Sequence, residues 1–355
     1  MNSESPELLP YRDPALEPTQ PTPPPPPSVL RKVFIGNDGL RAGWSLLIFV
    51  AIMAVLLFSA NRIAHKIHPP AHKTANTASE VSPVQGLTGE AIPFLLTLLA
   101  SWIMSKIERR PNSVYGLGGS RKLPNFFAGL AWGVTCLSLL VLTLWKTGLL
   151  VIDSRLLSGS AIFGYGAIWL IGFLLVALTE EYLTRGYLQY TLTRGLAGVY
   201  EWVFKTRHGK ALGFWTAALV FSILFGLGHS NNPGESPIGL LSAGLAGLVF
   251  CFSLWRTGSL WWAIGFHCSW DWAQSFLYGV ADSGLMVQHH LLATHPVGKP
   301  ILSGGATGPE GSIFIVAILA LISIIVLVTL PGARYRVPTP PASGLKEGGS
   351  VVIPT

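Results

Sequence analysis

The chain has 355 residues, of which 50% are hydrophobic and only 12% are charged. These values exclude an ordinary soluble protein and predict an all-α, polytopic membrane protein whose partners include the lipid bilayer. The net charge of +7 does not indicate nucleic acid as a partner, because the basic residues are scattered at the ends of apolar segments and form no stripe.

Polar, proline-rich sequence flanks the apolar part of the chain. Residues 1–40, with five consecutive prolines at 23–27, predict a disordered cytoplasmic tail, and residues 332–355 predict a second disordered tail. No basic stretch precedes an apolar core within the first tail, so we expect the first membrane helix to act as the targeting signal. Between the tails we expect N-terminal membrane helices at 41–158 and a functional region at 159–331.

Runs of about 17–25 apolar residues can cross a bilayer as helices. We expect about eight membrane helices, enclosing a buried polar site. The segments are 44–60, 91–104, 126–145, 164–187, 212–227, 238–254, 260–277 and 312–330. Polar loops are predicted at 65–90 and 282–311.

The positions of the Lys and Arg residues predict the orientation. With eight helices and an inside N-terminus, 18 of the 24 fall in inside segments and six in outside segments. The positive-inside rule therefore favours cytoplasmic N- and C-termini. We expect a multi-pass protein of a bacterial inner membrane.

A first polar motif, Glu180-Glu181-x-x-x-Arg185, ends the fourth apolar segment. Charged side chains at membrane depth indicate function, because removing them from water is costly. On a helix Glu181 and Arg185 are i,i+4 neighbours, whereas Glu180 points about 100° away. One carboxylate can thus be paired while the other acts as a general base. The alternative is a salt bridge at the helix end.

Two further motifs follow on separate segments. Phe225-x-x-x-His229 ends the fifth, and His267-x-x-x-Asp271 lies inside the seventh. Alone, His229 is typical of a membrane interface, and His267 with Asp271 could clamp two helices together. Combined with the first motif, these side chains could polarise a water and stabilise an oxyanion. They could also bind zinc, because histidine and carboxylate ligands with an open position are typical of zinc hydrolases.

In this order the three motifs resemble those of the CAAX protease and bacteriocin-processing family, also called the Abi or type II CAAX prenyl endopeptidase family. That family carries Glu-Glu-x-x-x-Arg, Phe-x-x-x-His and His-x-x-x-Asn/Asp on separate helices. The resemblance covers about 164–278, and Asp271 stands where the eukaryotic CAAX enzymes have Asn.

The resemblance implies an intramembrane endopeptidase acting on a peptide or a membrane protein. By analogy, Glu180 is the general base, Glu181 is its partner paired with Arg185, and His229 helps to activate water. His267 and Asp271 then face the oxyanion. The two glutamates could exchange roles, and Asp271 could instead hold a histidine or a metal. The residues leave both a metal-free and a zinc-dependent mechanism open, and a zinc-dependent, metalloendopeptidase-like enzyme would use Glu180, His229 and His267 as ligands.

Two other functions remain open. Membrane Glu, His and Asp residues also mark ion paths, so a proton- or metal-coupled transporter is an alternative, although no inverted repeat is evident. A non-catalytic bacteriocin-immunity or scaffold protein of the same family is another.

Hydropathy alone would place the ends of the fourth and fifth helices on opposite sides of the bilayer. Because the motifs must meet, we expect the fourth helix to continue to about Thr193. We also expect the fifth to be short or tilted, with Gly226 and Gly228 allowing close packing.

Overall fold

The structure is a computed structural model that describes residues 28–36, 39–67, 80–330, 332 and 334–335. It consists mainly of helices. These are α1 (Val29–Phe34), α2 (Ala42–Ile67), α3 (Pro83–Glu108), α4 (Lys122–Lys146), α5 (Ser160–Glu181), α6 (Gln189–Phe204), α7 (Gly209–Gly228), α8 (Pro237–Thr257), α9 (Trp261–Trp272), α10 (Pro300–Ser303) and α11 (Ile315–Thr329). Two small antiparallel ribbons complete it, one of β1 (Ile35–Gly36) and β2 (Gly39–Leu40), the other of β3 (Leu150–Arg155) and β4 (Leu292–Pro296).

The all-α membrane class is confirmed. Among the described residues, six helical spans are long and apolar enough to cross a membrane, so the count of eight is not confirmed. The seventh and eighth predicted segments correspond to shorter helices. One is α9, continued by a π-helical segment (Ala273–Leu277), and the other is α11.

The fourth predicted helix is far longer than its apolar segment. Helices α5 and α6 are joined by a π-helical segment (Tyr182–Leu188) into one 45-residue span, Ser160–Phe204. The expected continuation to Thr193 is confirmed and exceeded, and Glu180 lies near the middle of the span.

Of the two expectations for the fifth helix, a short helix is wrong, because the span that begins with α7 runs for 23 residues, Gly209–Asn231, and a tilted helix stays a prediction. A Cβ at Gly226 would meet the backbone of α8 at Leu240 and Gly244, so Gly226 does allow close packing. Gly228 has open space beside it and serves no such purpose.

The predicted loop 65–90 is shorter than expected. Helix α3 begins at Pro83, and Ser82 and Gln85 form a reciprocal capping box in which each side chain accepts a hydrogen bond from the other's backbone N–H. A capping box with proline at the first helical position starts a helix even in polar sequence. The last part of the predicted loop, residues 83–90, is therefore helical.

At the edges of the predicted tails, part of the chain is ordered. Helix α1 and the β1–β2 ribbon lie inside the segment 1–40, and Tyr335 packs against Phe214 and Trp255. The remainder of both tails lies outside the described residues.

One end of the bundle is covered by the segments 80–82, 147–159, 229–236 and 278–314, which we call the cap. Strand β3 pairs with β4, Val81 pairs with Val287, and the Thr307 hydroxyl donates to the carbonyl of Gly234. Through these contacts the segment 278–314 is joined to each of the other three segments of the cap. The opposite end contains the connections 109–121, 205–208 and 258–260.

Helices α4 and α9 touch backbone to backbone. A Cβ at Gly129 or Gly133 of α4 would clash with carbonyl oxygens of α9, at Trp262 and Phe266 respectively. A Cβ at Gly265 of α9 would likewise clash with the carbonyl of Phe126. Small residues at such contacts let membrane helices approach closely. This contact fixes the position of α9, which carries His267 and Asp271.

Candidate active site

The first motif lies where α5 becomes π-helical. Glu181 is fully buried, and its Oε1 accepts a hydrogen bond of 2.9 Å from Nη1 of the buried Arg185. The guanidinium carbon of Arg185 also lies 4.1 Å from the centre of the Phe225 ring. Charge pairing and the cation–π contact offset part of the cost of burying both charges, while Oε2 of Glu181 and Nε and Nη2 of Arg185 are buried without a hydrogen-bond partner among the described residues.

The carboxylates of Glu180 and Glu181 have different surroundings. The Glu180 side chain is 33% exposed and lines a cavity, whereas that of Glu181 is 0% exposed and lies behind it. Adjacent helical residues point in different directions, which accounts for the difference. Only Glu180 of the two can contact a molecule in the cavity.

His267, from α9, lies among three carboxylates. Its Nδ1 is 3.1 Å from Oε1 of Glu181, and its Nε2 is 3.4 Å from Oδ2 of Asp271 and 3.7 Å from Oε2 of Glu180. The Phe250 ring stacks on the imidazole with a centroid distance of 5.6 Å. Nδ1 of His267 is thus hydrogen-bonded to Glu181, whereas Nε2 faces the other two carboxylates at ion-pair distances.

His229 lies at the end of α7, in a short 3₁₀ turn (His229–Asn231). Its Nδ1 is 2.8 Å from the carbonyl oxygen of Phe225. A carbonyl can only accept, so the proton is on Nδ1 and Nε2 is the basic nitrogen. His229 also lines the cavity.

The cavity holds about 260 Å³ and brings together Glu180, His229, His267 and Asp271. Its apolar wall comes mainly from α5, α8 and α11. That wall includes Trp169, Phe173, Val249, Phe250, Leu319 and Ile322.

Three acidic residues that the sequence motifs did not indicate also line the cavity: Glu90, Asp282 and Glu310. Asp282 accepts from the Ser275 hydroxyl, and Glu310 accepts from the backbone N–H of Ser283 and from the Gln274 amide. Burial, with the charge of Glu180, raises the pKa of Asp282 to about 7. Burial, with the charge of Asp282, raises the pKa of Glu310 to about 8. No local motif marks these three residues, and only the fold brings them to the cavity.

The donor set fits zinc poorly. Nδ1 of His267 is engaged by Glu181, and Nε2 faces carboxylate oxygens of Asp271 and Glu180 at 3.4 and 3.7 Å, so the ring is arranged as a partner of carboxylates rather than as a metal ligand. Within the described ranges, no three His, Cys, Asp or Glu side chains are arranged to hold a metal ion.

Residues 162–273 match the family described as Type II CAAX prenyl endopeptidase Rce1-like. No curated protein and no solved structure matches the chain. The family resemblance is therefore confirmed, over a segment that includes all three motifs. Together with the apolar helices, the match indicates a multi-pass membrane protein that is similar to the type II CAAX prenyl endopeptidases over residues 162–273.

Proposed function

We propose that this protein is an intramembrane endopeptidase that hydrolyses a peptide bond with a water molecule activated by Glu180. The observation that supports this most directly is the division between the two glutamates. Glu180 lines the cavity beside His229 and His267, while Glu181 is buried in contact with Arg185 and His267. One motif thus supplies both a base that reaches substrate and a charge that holds the surrounding groups.

In the proposed reaction, a water in the cavity hydrogen-bonds to Glu180 and to Nε2 of His229. Glu180 takes its proton as the oxygen attacks the scissile carbonyl carbon. The N–H of His267 that faces Glu180 and Asp271 donates to the developing oxyanion. The tetrahedral intermediate then breaks its C–N bond, and Glu180 returns the proton to the leaving amine.

Glu181 and Asp271 act through His267 in this proposal. Glu181 accepts from Nδ1, and Asp271 lies 3.4 Å from Nε2, so the two carboxylates orient the ring toward the place where the oxyanion forms. We therefore assign Asp271 a positioning role.

We further propose that the water is activated without zinc. His267 is occupied by carboxylates, and the remaining candidate ligands, Glu180 and His229, are too few for a catalytic zinc site, which uses three protein ligands. The charge stabilisation that zinc would supply comes instead from the imidazole and its partners.

The test is cleavage of a panel of fluorogenic membrane peptides by the purified protein, with Glu180→Gln and His229→Gln beside wild type. Glu201→Gln is the matched control, since Glu201 is an exposed acid on α6 outside the cavity. We expect kcat to fall by about 10²–10⁴-fold in Glu180→Gln and to stay unchanged in the control. Each assay is repeated with a zinc chelator, which should have no effect.

Equal cleavage by wild type and Glu180→Gln would contradict the assignment of the base. Loss of activity on chelation, restored by added zinc, would contradict the metal-free mechanism. If no peptide is cleaved and Glu180 instead controls proton or metal uptake into proteoliposomes, the protein is a transporter.

A further inference from the structure

The cavity that holds the candidate active site is bounded by the cap. Its lining includes Val81, Asn232, Asp282, Leu285 and Glu310, all of which belong to cap segments. None of its lining residues comes from the connections at the opposite end, 109–121, 205–208 and 258–260. The cavity therefore lies nearer the cap than the opposite end of the bundle.

The two ends of the bundle differ in charge. The connections at the opposite end carry five basic residues and no acidic ones. These are Arg109, Arg110, Arg121, Lys205 and Arg207. The cap carries only Arg155 and Lys299, against five acidic residues, Glu80, Asp153, Glu235, Asp282 and Glu310.

Basic residues flanking the connections reinforce this difference. Lys106, Lys122, Lys210 and Arg256 lie at helix ends beside the opposite-end connections. Helix ends on the side of the cap carry Lys66 and Lys146. Short loops rich in Lys and Arg stay in the cytoplasm, so this asymmetry assigns the opposite end to the cytoplasm and the cap to the outside.

We propose that the active-site cavity opens on the extracytoplasmic face of the membrane. Its substrate is then an exported peptide, or a segment of a membrane protein that lies outside or enters the bilayer from outside. This substrate class rests on the proposed peptidase function. The orientation does not, because it follows only from the position of the cavity and the placement of charge.

The orientation is tested by labelling single introduced cysteines in intact bacterial cells with a membrane-impermeant maleimide. Ser158→Cys and Lys299→Cys mark the cap outside the cavity. Leu285→Cys marks a cap residue that lines the cavity, and Ser120→Cys marks the opposite end. All four positions are exposed. The native cysteines are buried, so the unmodified protein gives the background.

We expect the three cap-side variants to be labelled as strongly in intact cells as after permeabilisation, and Ser120→Cys only after permeabilisation. Ser158→Cys and Lys299→Cys both report on the cap from outside the cavity, so the result does not depend on the folding of a single variant. Labelling of Ser120→Cys in intact cells, with or without labelling of the cap, would overturn the proposal.

The substrate class is tested with a library of peptide segments fused to a single-span anchor, displayed on the outer face in one series and on the cytoplasmic face in the other. We expect cleavage that depends on Glu180 only in the outer series. Cleavage only in the cytoplasmic series would overturn the proposal. Cleavage in neither series would count against the peptidase function, while the labelling would still decide the orientation.

Discussion

At the scale of single residues, the site depends on how differently two neighbouring carboxylates are surrounded. Glu180 is a third exposed and contacts the cavity, whereas Glu181 is fully buried against Arg185 and His267. A buried ion pair that loses one partner leaves an uncompensated charge, which costs about 3–5 kcal/mol of folding free energy. The carboxylate of Glu180, which is one-third exposed, has, among the described residues, no such fully buried ion-pair partner to leave behind.

The variants Glu180→Gln and Glu181→Gln should therefore differ in whether they change stability as well as activity. We expect Glu180→Gln to keep the unfolding temperature of wild type and to lose kcat, because the base is gone while the packing is intact. Glu181→Gln should lower the unfolding temperature and lose activity as well, because Arg185 is left buried without its counter-charge. Thermal unfolding in detergent, measured beside peptide cleavage, separates the two effects. A stable but inactive Glu181→Gln together with an active Glu180→Gln would exchange the roles.

Asp271 provides a second comparison. If it positions His267 by accepting a hydrogen bond from Nε2, asparagine can replace it, because the amide oxygen accepts in the same way. We expect Asp271→Asn to keep kcat within about tenfold of wild type and Asp271→Ala to lose about 100-fold, with KM unchanged in both. Steady-state kinetics on one peptide decide this. If Asn were as inactive as Ala, the negative charge itself would be required.

The motif residues could be predicted from the sequence because charges in apolar segments are rare and costly. The ion pair of Glu181 and Arg185 follows from helical spacing alone. Glu90, Asp282 and Glu310 could not be predicted to line the cavity, because they lie in polar stretches where acidic residues are ordinary. The cavity lining depends on contacts between segments far apart in the chain.

At the scale of elements, both helices that carry the acidic motifs become π-helical just after them. The segment Tyr182–Leu188 follows Glu181, and Ala273–Leu277 begins two residues after Asp271. Short π-helical segments inside α-helices occur frequently at functional sites. Helix α9 is further held by its close contact with α4, so its position should be sensitive to small changes of volume.

The variant Gly265→Ala tests this sensitivity. A Cβ at Gly265 would clash with the backbone of α4 at Phe126, which cannot yield as a flexible side chain can. We expect α9 to shift, His267 to leave its carboxylate partners, and the folding free energy to fall by about 1–3 kcal/mol. Cleavage rate and unfolding temperature should both decrease. Gly164→Ala is the control, since Gly164 lies in α5 with open space beside it. Equal behaviour of the two variants would show that the contact does not position α9.

Most of the helices could be predicted from apolar runs, but their ends could not. The apolar segment 91–104 marks only part of α3, because the capping box at Ser82 starts the helix within polar sequence. The segment 164–187 similarly marks half of the span Ser160–Phe204, because α6 is much less apolar than α5. Hydropathy reports what a helix contacts, and the local hydrogen bonds determine where it begins and ends.

At the scale of the whole molecule, the acidic cavity is completed by a cap that is distant in sequence from the motifs. Glu310, 9% exposed, lies just before α11 and accepts hydrogen bonds from Gln274 and Ser283. This carboxyl group therefore joins the beginning of α11 to the end of α9. It is also close enough to Asp282 for the two groups to affect each other's charge.

The raised pKa of Glu310 predicts a pH dependence of stability. With a pKa of about 8 in the folded protein and 4.5 as the reference for the unfolded chain, the folded state keeps a proton that the unfolded state releases between those values. Stability should therefore fall as pH rises from about 4.5 to 8. Glu310→Gln removes this term, so its unfolding temperature should decline less steeply than that of wild type. Some slope should remain, because Asp282, with a pKa of about 7, still titrates.

The measurement is thermal unfolding of wild type and Glu310→Gln in detergent from pH 5 to 9. The slopes of unfolding temperature against pH are compared, so a constant offset caused by the substitution does not matter. Parallel curves for the two proteins would mean that Glu310 is ionised in the folded state throughout this range.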